Sequence, residues 1–212
     1  MVIGQTLSGK TEWVKKLLLN AQDMFTDPPV KVIYLYKHWQ KAYAEIARHL
    51  GDRVNFIEQV PTEAELKEML HREGSQSQTQ GHTLFIADDH MHEICTQELF
   101  LNSLTRIGHH ENLSNLFIVQ EGGLHGKLKR QINSNIHISV YMTTARDRNS
   151  LRNLGILLND YQCLMASFED SSSRGWGSYL CVDTHPATDP KLKYRSQIFP
   201  DDEYTVIYKS KK

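Results

Sequence analysis

Apolar positions along this chain switch repeatedly between helical and strand periods. Residues 11–22 place Trp13, Val14, Leu17 and Leu18 on one helical face, and Asp27-Pro28-Pro29 breaks it. Val30 to Tyr36 is β-branched and aromatic and predicts the second strand. Helical spacing returns over 39–50 through Ala42, Ile46, Ala47 and Leu50, followed by a short strand at Val54-Asn55-Phe56-Ile57. A helix over 62–72 opens on the capping box Thr62-Glu63-Ala64-Glu65, and the Gln- and Ser-rich stretch from Glu73 to Gly81 reads as a flexible surface loop. Further strands are expected at 83–87, 114–119, 136–142, 162–167, 178–183 and 204–208, with a helix over about 93–107. Helices alternating with strands in this way require a largely parallel sheet covered by helices. No internal repeat is visible.

The first chemical signal sits where the opening strand meets the first helix. Gly4-Gln5-Thr6-Leu7-Ser8-Gly9-Lys10-Thr11 fits G-x-x-x-x-G-K-[ST], between Met1-Val2-Ile3 and the helical run from Glu12 to Leu19. In such a phosphate-binding loop, inward-pointing N–H groups and the dipole of the next helix make an anion cradle. Lys10 is placed to reach the β- and γ-phosphates of ATP and Thr11 to ligate Mg2+, with residues from Gly4 to Glu12 lining the nucleotide. A side chain at Gly4 or Gly9 would obstruct close backbone approach. A plain Gly-containing turn is the alternative. Only three residues precede Gly4 where about five are usual, so the first strand is read as clipped or natively short.

A second signal is the apolar run Thr83-Leu84-Phe85-Ile86-Ala87, which closes on Asp88-Asp89. This reads as a Walker B element to the loop's Walker A: Asp88 holds Mg2+ and Asp89 polarises the attacking water. The alternative is a pair of loop carboxylates capping the next helix. The two signals together predict an α/β fold, a P-loop NTPase with a RecA-like, largely parallel central sheet and helices on both faces. The expected organisation is one domain over 1–212, with a C-terminal strand region at 178–208.

Composition narrows the picture further. The 212 residues are 40% hydrophobic and 23% charged, ordinary for one globular domain, and the net charge of -1 gives no global nucleic-acid signature. No apolar run reaches the roughly 18 residues of a membrane span, and an intracellular protein without a membrane partner is expected. Cys95, Cys163 and Cys181 lack C-x-x-C spacing and read as buried or incidental thiols. His90-Met91-His92 and His109-His110 lack zinc-ligand spacing. Trp13 and Trp39 read as core or edge residues at helical positions, and the aromatics look too scattered for a base-stacking platform.

The run G-x-T-x-S-G-K-T-x-W-V-x-K-L-L, then I-Y-L-Y, L-F-I-A-D-D and T-R-I-G-H-H-E-N-L-S-N-L-F-I-V-Q, resembles the packaging ATPases of Polinton/Maverick elements, virophages and adintovirus-like viruses, which belong to the FtsK/HerA superfamily. The resemblance continues through Gly126-Lys127, Asn133-Ser134-Asn135, Ala145-Arg146-Asp147 and Ile198-Phe199-Pro200, covering essentially the whole chain. It implies a homo-oligomeric ring that hydrolyses ATP and pumps double-stranded DNA into a capsid, with portal or vertex proteins as partners. It places the molecule in the host nucleus, the viral factory or the virion.

Under this resemblance Gln120 senses the γ-phosphate, and Arg106 is a finger completing a neighbour's site, with Arg146 as runner-up. A strand-end glutamine bonded to a loop and a solvated helix-end arginine are the plain alternatives. Lys127, Lys129 and Arg130 are the candidates for sequence-independent DNA contact, against a solvated surface helix. Two rival functions remain open: an ATP-binding interaction module without motor activity, and a nucleoside or nucleotide kinase whose lid arginines would be Arg146, Arg148 and Arg152.

Overall fold

The computed structural model describes residues 1–71, 81–96, 112–120, 135–143 and 148–210. In chain order its elements are β1 (Val2–Ile3), α1 (Lys10–Leu19), α2 (Ala21–Met24), β2 (Lys31–Leu35), α3 (Lys41–Leu50), β3 (Val54–Ile57), α4 (Glu63–His71), β4 (Thr83–Asp88), α5 (Met91–Thr96), β5 (Leu113–Val119), β6 (Ile138–Met142), α6 (Arg148–Leu157), α7 (Tyr161–Ser172), β7 (Tyr179–Asp183), β8 (Tyr194–Ser196) and β9 (Val206–Tyr208). The fold is α/β with a large, mostly parallel sheet. Among the described residues no helix is long and apolar enough to cross a membrane.

The chain forms two compact units, Lys15–Ile118 and Met1–Val14 with Val119–Lys212. In the first, β2 is flanked by β3 and β4, and β4 by β5, all parallel. Every residue of β4 is buried, as expected for a strand inside a parallel sheet. The register sets Lys31 opposite Thr83 and Leu35 opposite Ala87, then Asp88 opposite Ile118. The capping box forms as read: the Thr62 N–H donates to Glu65 Oε2 (2.7 Å) and the Glu65 N–H to Thr62 Oγ1 (3.2 Å).

In the second unit β1 lies parallel to β6, Val2 opposite Val140, and the sheet then turns antiparallel through β7, β8 and β9. The expected strand at 162–167 is instead the first half of α7. Its inward residues, Leu164, Ser167, Phe168 and Ser171, have helical spacing. Two of these four are serines, so hydropathy hides the face; Ser171 Oγ donates to the Phe168 carbonyl, which lets a polar side chain be buried. α6 packs on α7 at Gly155, where a Cβ would come within 2.9 Å of Tyr161 Cα.

Candidate nucleotide site

The glycine-lysine loop is closed by contacts that only its own residue types permit. The Gly4 N–H donates to the Val119 carbonyl (3.1 Å), fixing the start of the loop against the end of β5. A Cβ on Gly4 would lie 2.7 Å from both Met142 Cβ and Ser8 Oγ, so any larger residue displaces the loop. Leu7 (φ 64°) and Gly9 (φ 96°) take left-handed conformations that turn the chain back toward α1. The Lys10 ammonium donates to the carbonyls of Gly4 and Gln5, both at 2.7 Å, and so lies across the loop rather than in solvent. Ser8 Oγ is buried and has no hydrogen-bond partner among the described residues.

A cation, an orphaned hydroxyl and a glycine cradle at the head of a helix fit the phosphates of a nucleotide, which would supply the missing acceptors. Thr11 lies in the first turn of α1, where a hydroxyl can serve Mg2+, a hard cation that takes oxygen ligands. Gln5 is half-buried, whereas Thr6, Leu7 and Glu12 are exposed. Trp13 anchors the first turn of α1, meeting Tyr179 and Phe199 edge-on at ring distances of 5.8 and 5.4 Å. Gln120 directly follows β5 and is exposed, one residue after the carbonyl that holds Gly4.

In the other unit, Asp88 ends β4 and is 6% exposed. Its Oδ2 accepts from Tyr43 Oη (2.8 Å) and Tyr34 Oη (3.2 Å). Burial, and after it the charge of Asp88, push both phenols well above the usual tyrosine range, so both stay protonated and donate. Asp89 is exposed, with a left-handed φ of 61°, and its N–H donates to the Ile118 carbonyl (3.2 Å). The two acids therefore do different things: one is clamped inside, the other faces solvent. Just beyond them His90 is buried, its Nδ1 3.9 Å from Glu93 Oε2, and Lys37 pairs with Glu93 at 2.8 Å.

The clamp makes a testable prediction. Tyr43→Phe keeps the ring but strips a charge-assisted hydrogen bond from a buried carboxylate, lowering unfolding free energy by about 1.5–3 kcal/mol. Urea denaturation reads this directly, and an unchanged midpoint would mean that Tyr43 does not hold Asp88.

Sequence reasoning located the loop and the acids but missed the tyrosine clamp, Met142 beneath the loop, and Trp176, whose indole Nε1 donates to the Leu7 carbonyl at 3.0 Å. One aromatic reading is corrected. Trp39 precedes α3 rather than lying on it and is 55% exposed. Tyr34, Tyr36, Trp39 and Tyr43, near one another in sequence, gather with Phe56 into one cluster with ring distances of 4.9 to 6.0 Å. Arg106, Lys127, Lys129, Arg130 and Arg146 lie outside the described residues. Arg148 pairs with Glu169 (2.9 Å).

No protein-family model and no curated protein matches this sequence. Solved structures do. The cytoplasmic domain of the Thermomonospora curvata type VII secretion ATPase EccC superposes with a TM-score of 0.52 at 14% identity, over 89% of this chain. This chain spans only 24% of that one. The genome packaging NTPase B204 from Sulfolobus turreted icosahedral virus 2, in complex with ATP-gammaS, gives 0.51 at 11% identity over 98% of this chain and 94% of B204. B204 from Sulfolobus turreted icosahedral virus, a DNA-packaging ATPase, gives 0.50 at 9% over 100% and 96%. The fold is that of P-loop ATPases.

Proposed function

We propose that this chain is a Mg2+-dependent ATPase of the FtsK/HerA type that drives double-stranded viral or transposon DNA into a capsid, akin to the packaging ATPases of Polinton/Maverick elements, virophages and adintovirus-like viruses. The observation that carries this reading is the preformed phosphate cradle, with the Lys10 ammonium folded onto the Gly4 and Gln5 carbonyls and the Ser8 hydroxyl without a partner among the described residues. Full-length likeness in fold to B204 supports it.

In this reading the backbone from Gly4 to Lys10 binds the phosphates, and Lys10 moves from the loop carbonyls to the γ-phosphate oxygens. Thr11 and Asp88 would be the residues to hold Mg2+, which would supply charge neutralisation for the phosphate oxygens. The tyrosine pair fixes the rotamer of Asp88 for that task. Asp89 accepts the proton of the water that attacks the γ-phosphorus, so that ADP and phosphate leave; its exposure suits a base that must meet water. Gln120 reports the presence of the γ-phosphate to the rest of the chain. Arg106 reaches a neighbour's nucleotide in a homo-oligomeric ring. Lys127, Lys129 and Arg130 meet DNA phosphates without reading bases. Capsid portal or vertex proteins are the docking partners, and the site of action is the host nucleus, the viral factory or the virion.

The test is ATP turnover with and without linear duplex DNA. Unrelated duplexes should stimulate hydrolysis several-fold and equally, the effect should fade with salt as phosphate contacts are screened, and specific activity should rise with protein concentration. Hydrolysis indifferent to DNA and strictly proportional to protein would contradict the motor.

A further inference from the structure

Trp176 lies in a short turn, Gly175 to Ser178, between α7 and β7, with glycines in left-handed conformations on either side of it (φ 99° and 78°). The turn is held closed by Ser178, whose N–H and Oγ both donate to the Gly175 carbonyl (3.3 and 2.7 Å). It is tied to the end of β6, where the N–H and Oγ1 of Thr143 donate to the Ser178 carbonyl (3.1 and 3.0 Å). Thr143 follows Met142, the residue that fills the space beneath Gly4.

The turn also borders the loop itself. A Cβ on Gly9 would sit 3.4 Å from Gly177 Cα and 3.7 Å from Trp176 Cζ2, and the indole N–H donates to the Leu7 carbonyl at 3.0 Å. The backbone that would bind phosphate and the indole thus belong to one wall.

The indole is pinned by its polar edge, yet the residue is 77% exposed. Trp13 and Trp39 both pack against other rings; Trp176 has no ring contact among the described residues. A large aromatic ring held by its polar edge, with most of its surface exposed, offers a flat face on which a planar ligand can stack. What lies beside it is the loop read above as the phosphate site, and the flat part of a nucleotide is its base.

We infer that Trp176 stacks on the nucleobase of the bound nucleotide, making it the base-recognition residue of this site. The inference rests on the reading of Gly4 to Thr11 as the phosphate cradle. Stacking on a ring face tolerates every base but rewards area, so the site favours purine over pyrimidine triphosphates without separating adenine sharply from guanine. The glycine on each side lets the turn shift as the base seats.

The experiment compares two ligands on the full chain by calorimetry in Mg2+: ATP-gammaS, which carries a base, and inorganic tripolyphosphate, which does not. Trp176→Ala should weaken ATP-gammaS about 10-fold while leaving tripolyphosphate within about twofold, and Trp176→Phe should recover most of the loss. Equal weakening of both ligands would make Trp176 a mere strut for the loop, and no weakening of either would leave it without a role; each result overturns the inference. A wild-type chain that binds neither ligand, or whose binding survives Lys10→Ala, would instead overturn the phosphate cradle beneath it.

Discussion

Trp13→Ala lowers the free energy of unfolding by about 3–5 kcal/mol, the largest stability loss expected of a single substitution near the nucleotide site. The side chain is 8% exposed on the first turn of α1, three residues past Lys10. Its ring meets those of Tyr179 and Phe199, which also meet each other at 6.0 Å. That triad joins α1 to β7 and to the turn after β8, where Tyr179 Oη accepts from the Ile198 N–H (2.9 Å) and the Phe199 N–H donates to Asp202 (2.9 Å). Removing the indole forfeits its burial, leaves a cavity, and loses two edge-on pairs worth about 0.5–1.5 kcal/mol each within that total. Because the same turn of helix belongs to the phosphate cradle proposed above, nucleotide affinity should fall with stability. Thermal and urea unfolding should register the loss as a drop on the order of 10 °C, with Trp13→Phe retaining most of the stability. A midpoint unmoved by Trp13→Ala would mean that α1 is anchored elsewhere.

How far the chain could be read in advance depends on how local the determining contacts are. The loop was legible because its residues are contiguous, and their requirements, glycine at Gly4 against Met142 and a cation at Lys10, are those of any phosphate cradle. The box at Thr62 and Glu65 was legible for the same reason. β4 was visible as an uninterrupted apolar run, the pattern of a strand buried on both faces.

What escaped notice depends on pairing over distance. Asp88 is separated from Tyr43 by 45 residues and from Tyr34 by 54, and nothing around either tyrosine marks it as a partner of Asp88. The first half of α7 reads as a strand because Cys163-Leu164-Met165-Ala166 is a short apolar run of either kind, and the buried serines that complete its helical face read as polar. β8 has only three residues, with Arg195 at its centre; that arginine is accommodated by Asp183 across the ladder (2.6 Å), a partner invisible in a linear reading. Trp176 left one clue, a tryptophan between two glycines, which becomes meaningful only once Leu7 is its neighbour in space.

Lys10→Ala should have the largest effect on activity. Its ammonium is the cation held inside the loop, bonded to two carbonyls 2.7 Å away, where a phosphate would draw it across a short distance. Charge develops on the oxygens of the transferring phosphoryl group, and a fixed cation in a site shielded from water stabilises it far more than bulk solvent does. Deleting one such group typically costs about 100- to 1000-fold in turnover. Loss of fold is not the expected cause: Lys10 is only half-buried, and methyl replacement leaves Gly4, Met142 and Trp13 in place. Unfolding midpoints measured alongside activity separate the two effects.

The decisive measurement is the steady-state ATP hydrolysis rate of Lys10→Ala, at saturating Mg2+ and with its folded state verified, against that of the wild-type chain. A fall of at least about 100-fold is predicted; hydrolysis at the wild-type rate would contradict the assignment of this loop to ATP and the enzyme reading with it.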